Sequence, residues 1–554
     1  MKEIEIYCHN THSKHTYPLG TSLLEISRDL NIQLENTVCG AIVNNQVREL
    51  SFCLVKPKHI EFFDVAHTDG IRMYIRSLIF VMYAAVKEVF PHVSLRVRKG
   101  ISNGYFCELS GFGREITEPD IQLIQNEMRG IINNDISFIK KGLPTQDAME
   151  HLMKEGLEEK AQLFDQKGHL FSSLYFLNEL GNYFYGHLLP STGYITNFGL
   201  MKFFDGILLR VPNPDNFDEL QETPKQKKLF EIYQEHKNWA RILDVDTVAN
   251  LNEYTLQKKG GYIIKISEAL HEKKIAEIAN KIHDRNGDIR VVLVAGPSAS
   301  GKTTFSKRLS VQLAVNGLRP FQISLDDYFV DREHTPRDEQ GNYDFEALDA
   351  IDIEFFNEQL LDMLKGKEVQ LPKFDFYRGQ RFMNGDRLRL RSGDILIVEG
   401  IHGMNPHLLP RIEEKNTFKI FISALTQISI DEQTHISTSD NRLIRRIIRD
   451  SKYRGYPAAE TIKRWPSVRR GEEKNIFPYQ ENADVMFNSA TLYELGVLKK
   501  YADPLLKLVL ENQREYMESM RLLKFLSYFK PIDDEEIPPT SLLREFLGGS
   551  SFLY

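Results

Sequence analysis

The sequence predicts an α/β fold, a three-layer sandwich around a mainly parallel sheet over residues 285–490, preceded by smaller α+β units. Three observations predict it. The β-branched run VVLVA at 291–295 passes directly into GPSASGKTT, which fits the phosphate-binding pattern G-x-x-x-x-G-K-[ST]. Phe305, Leu309 and Leu313 then recur at helical spacing until Gly317 closes the helix, so the loop joins a buried strand to an amphipathic helix. Further strands at PFQISLDDYF, DILIVEG, FKIFIS and ADVMFN complete a sheet of about five, for which a doubly wound sandwich is the natural architecture.

The chain has 554 residues, roughly three or four folding units' worth, so the sandwich need not be the whole protein. Its hydrophobic fraction of 42% and charged fraction of 27% are those of a folded globular chain. A net charge of -7 argues against non-specific nucleic-acid binding across the surface. The opening MKEIEIYCHN is not a signal peptide and no run of 18 apolar residues exists to span a bilayer, so a cytoplasmic protein without a membrane partner is expected. Cys8, Cys39, Cys53 and Cys107 show no CxxC spacing. Cys8, His9, His12 and His15 offer zinc-type ligands, against which stands a simple hairpin: EIEIYC alternates with period two and NTHSK reads as its turn.

In chain order, residues 1–63 read as a small mixed unit with that hairpin, a helix at SLLEISRDL capped by Thr21, and strands in TVCGAIVNN and KHIEFFDV. The helix at GIRMYIRSLIFVMYAAVKEVF is apolar enough to be buried on most sides, and Arg72, Arg76 and Lys87 argue against membrane insertion. Residues from Pro212 to Asn252 are polar and helical, and ISEALHEKKIAEIANKIH leads into the sandwich. The segments VKEVFP at 86–91, GYFCEL at 104–109 and LPSTGYI at 189–195 resemble the amino-terminal part of threonyl-tRNA synthetases. That resemblance implies a TGS domain over 1–63 and an editing-type domain over 64–230; the polar, helical stretch that follows reads as a helical linker over 231–284. It also locates the family's His-x3-His and Cys-x3-His ligand pairs on Arg76 and Phe80, and on Phe184 and Leu188. Neither pair is present, so the domain is expected to be retained without its chemistry. His187, one position away, reads as a structural histidine.

The loop Gly296, Pro297, Ser298, Ala299, Ser300, Gly301, Lys302, Thr303 and Thr304 should cradle ATP, with backbone N–H groups and a helix N-terminus facing phosphate. Lys302 should reach the outer phosphates and Thr303 should hold Mg2+. Asp326 and Asp327 end the second strand, where open parallel sheets bind ligands; either is a plausible proton acceptor, and either could be a turn residue. Glu399 ends the apolar run DILIVEG and is a second Mg2+ candidate. Asp344 and Asp375 lie among aromatics, a composition suited to holding a ribose and a base. In SDNRLIRRIIRDSKYRG, Leu443, Ile447 and Ile448 can face the protein while Arg442, Arg445, Arg446 and Arg449 project elsewhere. That suits a lid over phosphate, a solvated face or an RNA-binding patch.

Taken in order, GPSASGKTT, SLDDYF, NYDFEALD, LPKFDF, ILIVEGIH and RLIRRIIRDSKYRG resemble the uridine kinase and phosphoribulokinase family. The resemblance implies ATP-dependent phosphorylation of a nucleoside, with Asp326 as general base and Lys302 and Arg449 as catalytic partners. Asp344, Phe374 and Arg446 would contact the substrate, Arg454 would join the ATP-side lid, and ATP and Mg2+ would be the cofactors. Two departures stand out: Gly379 occupies the place of a base-reading histidine, and Tyr456 that of an arginine. The expected reaction is transfer to the 5′-hydroxyl of uridine or cytidine. The alternatives are a kinase for a sugar phosphate or pantothenate, or a TGS-containing RNA-associated NTP switch. Residues 491–554 read as a helical extension that packs on the sheet or forms a subunit contact, and a homo-oligomer is compatible with it.

Overall fold

The computed structural model describes residues 2–553 except 215 and 286. Five parallel strands form the central sheet: β1 (Val291–Ala295), β2 (Arg319–Ser324), β3 (Asp394–Glu399), β4 (Thr417–Ser423) and β5 (Val485–Asn488). Their spatial order is β2-β3-β1-β4-β5. The chain leaves β1 toward one edge and later crosses back from β3 to β4, so the crevice above β1 is the switch point at which such sheets bind ligands.

Alternation along the strands makes the layers. Val292, Val294, Ile395, Ile397, Ile420 and Ile422 share one buried cluster with helix α1 (Lys302–Val315), through Phe305, Leu309 and Leu313. The same cluster takes Ile275, Ile278 and Ile282 from helix Gly260–Asp284, so this helix, in the stretch expected to be a linker, supplies part of a layer. Val291, Leu293, Leu396, Val398 and Phe421 point to the opposite face and meet Phe356, Leu360 and Met363 of helix Ile353–Leu364. Each fully buried side chain of this kind stabilises the fold by about 1.5–3 kcal/mol relative to exposure.

Between β2 and β3 an antiparallel hairpin, Val369–Asp375 with Gln380–Leu388, projects beside the crevice. After β4 come α2 (Thr438–Arg454) and α3 (Ala458–Asn475). The later helices Glu494–Lys507, Tyr516–Leu526 and Arg544–Leu547 pack against α2 through a cluster that includes Leu443, Ile447, Leu498, Leu522 and Phe546.

The first residues form a five-stranded sheet with helix Leu23–Asp29. The hairpin Glu3–Cys8 with Ser13–Pro18 stands as expected; among the described residues no group of three or more His, Cys, Asp or Glu side chains is placed to hold a metal ion. The helix cap is Ser22 rather than Thr21, because Glu25 closes a reciprocal capping box only with Ser22. Helix Thr68–Val89 is buried along most of its length, beside a four-stranded and a three-stranded sheet. The four positions where ligand pairs would fall do come together, as packing. Phe80 packs 5.5 Å from Phe184 with its ring tilted, Leu188 is buried in the same core, and Arg76 Nε donates to His187 O at 2.9 Å. The polar stretch from Pro212 opens with a short hairpin, Pro212–Asn213 with Asn216–Leu220, before it turns helical.

This front half is tied to the loop between β4 and α2. Lys160 is buried; its Nζ donates to Asn182 Oδ1 at 2.6 Å and Gln433 Oε1 at 3.0 Å, and lies 3.7 Å from Asp431. Lys99 Nζ donates to Thr438 Oγ1, the first residue of α2, at 2.6 Å. Among the described residues no helix is long and apolar enough to cross a membrane.

Candidate active site

The phosphate loop leaves β1 at Gly296, where a Cβ would lie 2.2 Å from Ile422 O on β4. Only glycine permits that approach of two backbones. Gly301 precedes α1 at φ 88°, in the left-handed region that glycine enters without strain. Ser300 Oγ is buried with no hydrogen-bond partner, and Lys302 has no carboxylate within ion-pairing distance among the described residues, its one acceptor being Pro297 O at 3.3 Å. An orphaned hydroxyl and an unpaired ammonium beside a helix N-terminus are the donors a phosphate chain needs, so the loop fits ATP.

Three acids stand at the strand ends near this loop. Glu399 Oε1 accepts from Thr303 Oγ1 at 3.2 Å and from Ser324 Oγ at 3.3 Å. A hydroxyl and a carboxylate are hard oxygen donors, and two protein oxygens suit Mg2+, which keeps several waters and takes substrate phosphates. Thr303 and Glu399 would hold it, and bound there it would offset the charge of the phosphate chain. Asp326 follows β2 and its carboxylate accepts no hydrogen bond among the described residues. Burial pushes it above the ordinary carboxylate range, against the pull of Lys302, Arg454 and Arg449. Asp327 is instead engaged with the hairpin, accepting from Lys373 Nζ at 2.8 Å and from the Phe374 N–H at 3.3 Å. Of the two aspartates, Asp327 is thus tied to the hairpin, while the Asp326 carboxylate accepts no hydrogen bond among the described residues.

Burial pushes Glu399 up to about 7, with Lys302 opposing and Asp326 and Glu545 adding to the rise. Mg2+ needs the ionised form, which is lost as pH falls through that value. The half-saturating Mg2+ concentration should therefore rise about tenfold per pH unit below 7 and be flat above it. Titrations at pH 6 and 8 check this, and Glu399→Gln should leave only the shallower pH dependence of the nucleotide's own phosphate.

Asp344 Oδ1 accepts from the Glu346 N–H at 3.1 Å and lies beside Gly471 of α3. Glu346, which sequence reasoning passed over, is pushed up to about 7 by burial, with Arg446 opposing and Glu472 and Asp344 adding. Arg446 Nη1 donates to Ser298 Oγ at 2.9 Å and its Nε to Asp450 Oδ2 at 3.2 Å, tying the loop to α2. Arg449 and Arg454 also pair with Asp450, at 3.0 and 3.4 Å. Phe374 is buried against Phe329 at 5.6 Å; Phe376, half exposed, is the aromatic that Arg454 faces at 5.9 Å.

The arginine-rich helix departs from expectation. Arg442 and Arg445 do not project as lid residues: both are fully buried, Arg442 on Glu472 of α3 and Arg445 on Glu494. They grip the loop from behind, Arg442 Nε donating to Ser298 O at 2.8 Å and Arg445 Nη1 to Ala299 O at 3.4 Å. Only partner acids from other elements allow such burial, and nothing local in the sequence announces them.

Loop, sheet order and acids are those of a P-loop nucleotide-binding domain. Residues 291–494 match the family model described as Phosphoribulokinase / Uridine kinase family, which makes this a P-loop kinase domain. The chain is 25% identical over 214 residues to the uridine kinase of Ureaplasma parvum serovar 3, covering 38% of this chain and 94% of that one. It is 26% identical over 197 residues to the uridine kinase of Staphylococcus epidermidis, covering 35% and 86%. A solved Bacillus stearothermophilus structure described as a possible uridine kinase aligns at 20% identity over 39% of this chain and 98% of that one, with a TM-score of 0.28. The amino-terminal region is similar to threonine–tRNA ligases; that of Desulforamulus reducens is 27% identical over 191 residues, 34% of this chain. The match spans about 30% of the ligase's length.

Proposed function

We propose that this protein transfers the γ-phosphoryl group of Mg-ATP to the 5′-hydroxyl of a nucleoside, uridine first and cytidine second, giving the monophosphate. The observation that carries the reading is the unengaged Asp326 carboxylate, close enough to Lys302 to feel its charge, beside the crevice above β1. In this reading Asp326 accepts the proton of the attacking hydroxyl and aligns its oxygen. Lys302, Arg449 and Arg454 offset charge as the phosphoryl group moves, while Asp344, Arg446 and the aromatic pair Phe374 and Phe376 orient the acceptor. The front half is a scaffold without editing chemistry, since packing replaces its ligand pairs.

One observation supports a second acceptor class. Gly379 stands where a base-reading histidine is expected, and a Cβ there would lie 2.7 Å from Arg332 Nε. Arg332 Nη2 donates to Phe376 O at 2.6 Å, so a cation occupies that place. A cation favours a hydroxyl acceptor that carries its own anionic group, such as a sugar phosphate or pantothenate.

A panel of nucleosides, pantothenate and ribulose 5-phosphate, with ADP release as the readout, decides between them. Uridine turnover with a 5′-monophosphate product is expected. Turnover of anionic acceptors alone would move the reading to the second class. No turnover together with salt-dependent RNA binding would replace both with an RNA-associated switch.

A further inference from the structure

Glu545, on the short helix Arg544–Leu547, lies some 240 residues beyond the phosphate loop, yet its Oε2 accepts from the Thr304 N–H at 3.2 Å and from Thr304 Oγ1 at 2.8 Å. Thr304 is the third residue of α1. The opening N–H groups of a helix have no intrahelical acceptor, and the positive end of its dipole favours an anion. These are donors that a phosphate chain lying on the loop would take up.

We propose that Glu545 is a built-in anion that occupies the first turn of α1 and competes with the phosphate chain of the nucleotide, so that binding requires its side chain to swing off Thr304. The inference rests on reading the loop as the ATP site and adds a restraint to that site. The backbone around Glu545 is held firmly. Leu542 shares the buried layer with Phe305 and Leu309 and reaches within 3.5 Å of where a Gly301 Cβ would stand. Ser541 Oγ donates to Glu268 Oε1 at 2.6 Å, and Lys452 Nζ donates to Leu547 O. Phe546 is fully buried beneath the Arg445 guanidinium, 5.1 Å from its ring centroid.

Glu545 itself is only half buried and, among the described residues, has no Lys or Arg within ion-pairing distance. A carboxylate held by one amide and one hydroxyl can leave without unpairing a buried ion. Its negative field also reaches the metal-side acid, adding to the upward push on Glu399. If the docked rotamer is populated about nine-tenths of the time, apparent nucleotide affinity is lowered about tenfold.

The test measures the dissociation constants of ATP and ADP for the full chain and three variants: Glu545→Gln, Glu545→Asp and Lys302→Ala. Glu545→Gln keeps the shape and removes the charge, and Glu545→Asp draws the carboxylate back from Thr304. Both should bind about tenfold more tightly than the natural chain, with Lys302→Ala binding far more weakly. If both Glu545 variants bind no more tightly while Lys302→Ala still loses binding, the competition is refuted and the loop reading stands. If neither nucleotide binds the natural chain or any variant, both fall together.

Discussion

Asp326→Asn should lower kcat by about 10²–10⁴-fold while leaving the affinity for ATP unchanged or slightly tighter. The size follows from the proposed role: a positioned carboxylate that takes the hydroxyl proton in the transition state contributes about that much, and an amide cannot accept a proton at neutral pH. The direction of the affinity change follows from charge. Lys302 is the largest cationic influence on Asp326, and loss of that carboxylate frees the ammonium to act wholly on phosphate. Asparagine is nearly isosteric, and the aspartate side chain accepts no hydrogen bond among the described residues, so the fold has nothing to lose. The natural enzyme's rate should also fall as pH is lowered through a value above the ordinary aspartate range, because burial favours the protonated, inactive form. Single-turnover measurements separate this from binding. A variant whose KM rises while kcat is kept would assign Asp326 to positioning alone.

The parts of the site that were legible in the sequence are those whose chemistry is written within a few residues. A loop of nine residues between a strand and a helix, or an acid at the end of an apolar run, needs no distant partner to be recognised. Glu472, Glu494 and Glu545 left no such trace. Each acquires its meaning from a donor on another element, Arg442, Arg445 or Thr304, and the pairing exists only once the chain is folded. The same holds for the arginine helix: the apolar residues Leu443, Ile447 and Ile448 gave its buried face correctly, but two of its arginines are buried as well because acids meet them. Local competition explains a smaller miss, since Thr21 and Ser22 can both cap a helix and only the reach of Glu25 chooses between them.

The second large effect concerns the support behind the loop. Glu472→Ala should destabilise the protein by about 3–5 kcal/mol. Glu472 is fully buried; it accepts from Arg442, from the Ser298 N–H at 2.9 Å and from Arg469 Nη1 at 3.4 Å. Burial, with Arg469 and Arg446 adding to it, already holds Arg442 down to about 10 against the opposing pull of Glu472. Removing the acid leaves a guanidinium in a dry site with, among the described residues, only the Ser298 carbonyl and the Trp465 ring, 5.2 Å away, to meet it. Denaturant titration of the single variant reads the full cost of an uncompensated buried charge. The double variant Arg442→Met with Glu472→Met should recover most of that stability, because an apolar pair of similar volume is commonly neutral in place of a buried ion pair. It should not recover ATP affinity, since the Ser298 N–H and carbonyl then both lose the partners that fix the loop. A single-variant cost below about 1 kcal/mol, within the range of an exposed ion pair, would show that the pair is open to water and is not what holds the loop.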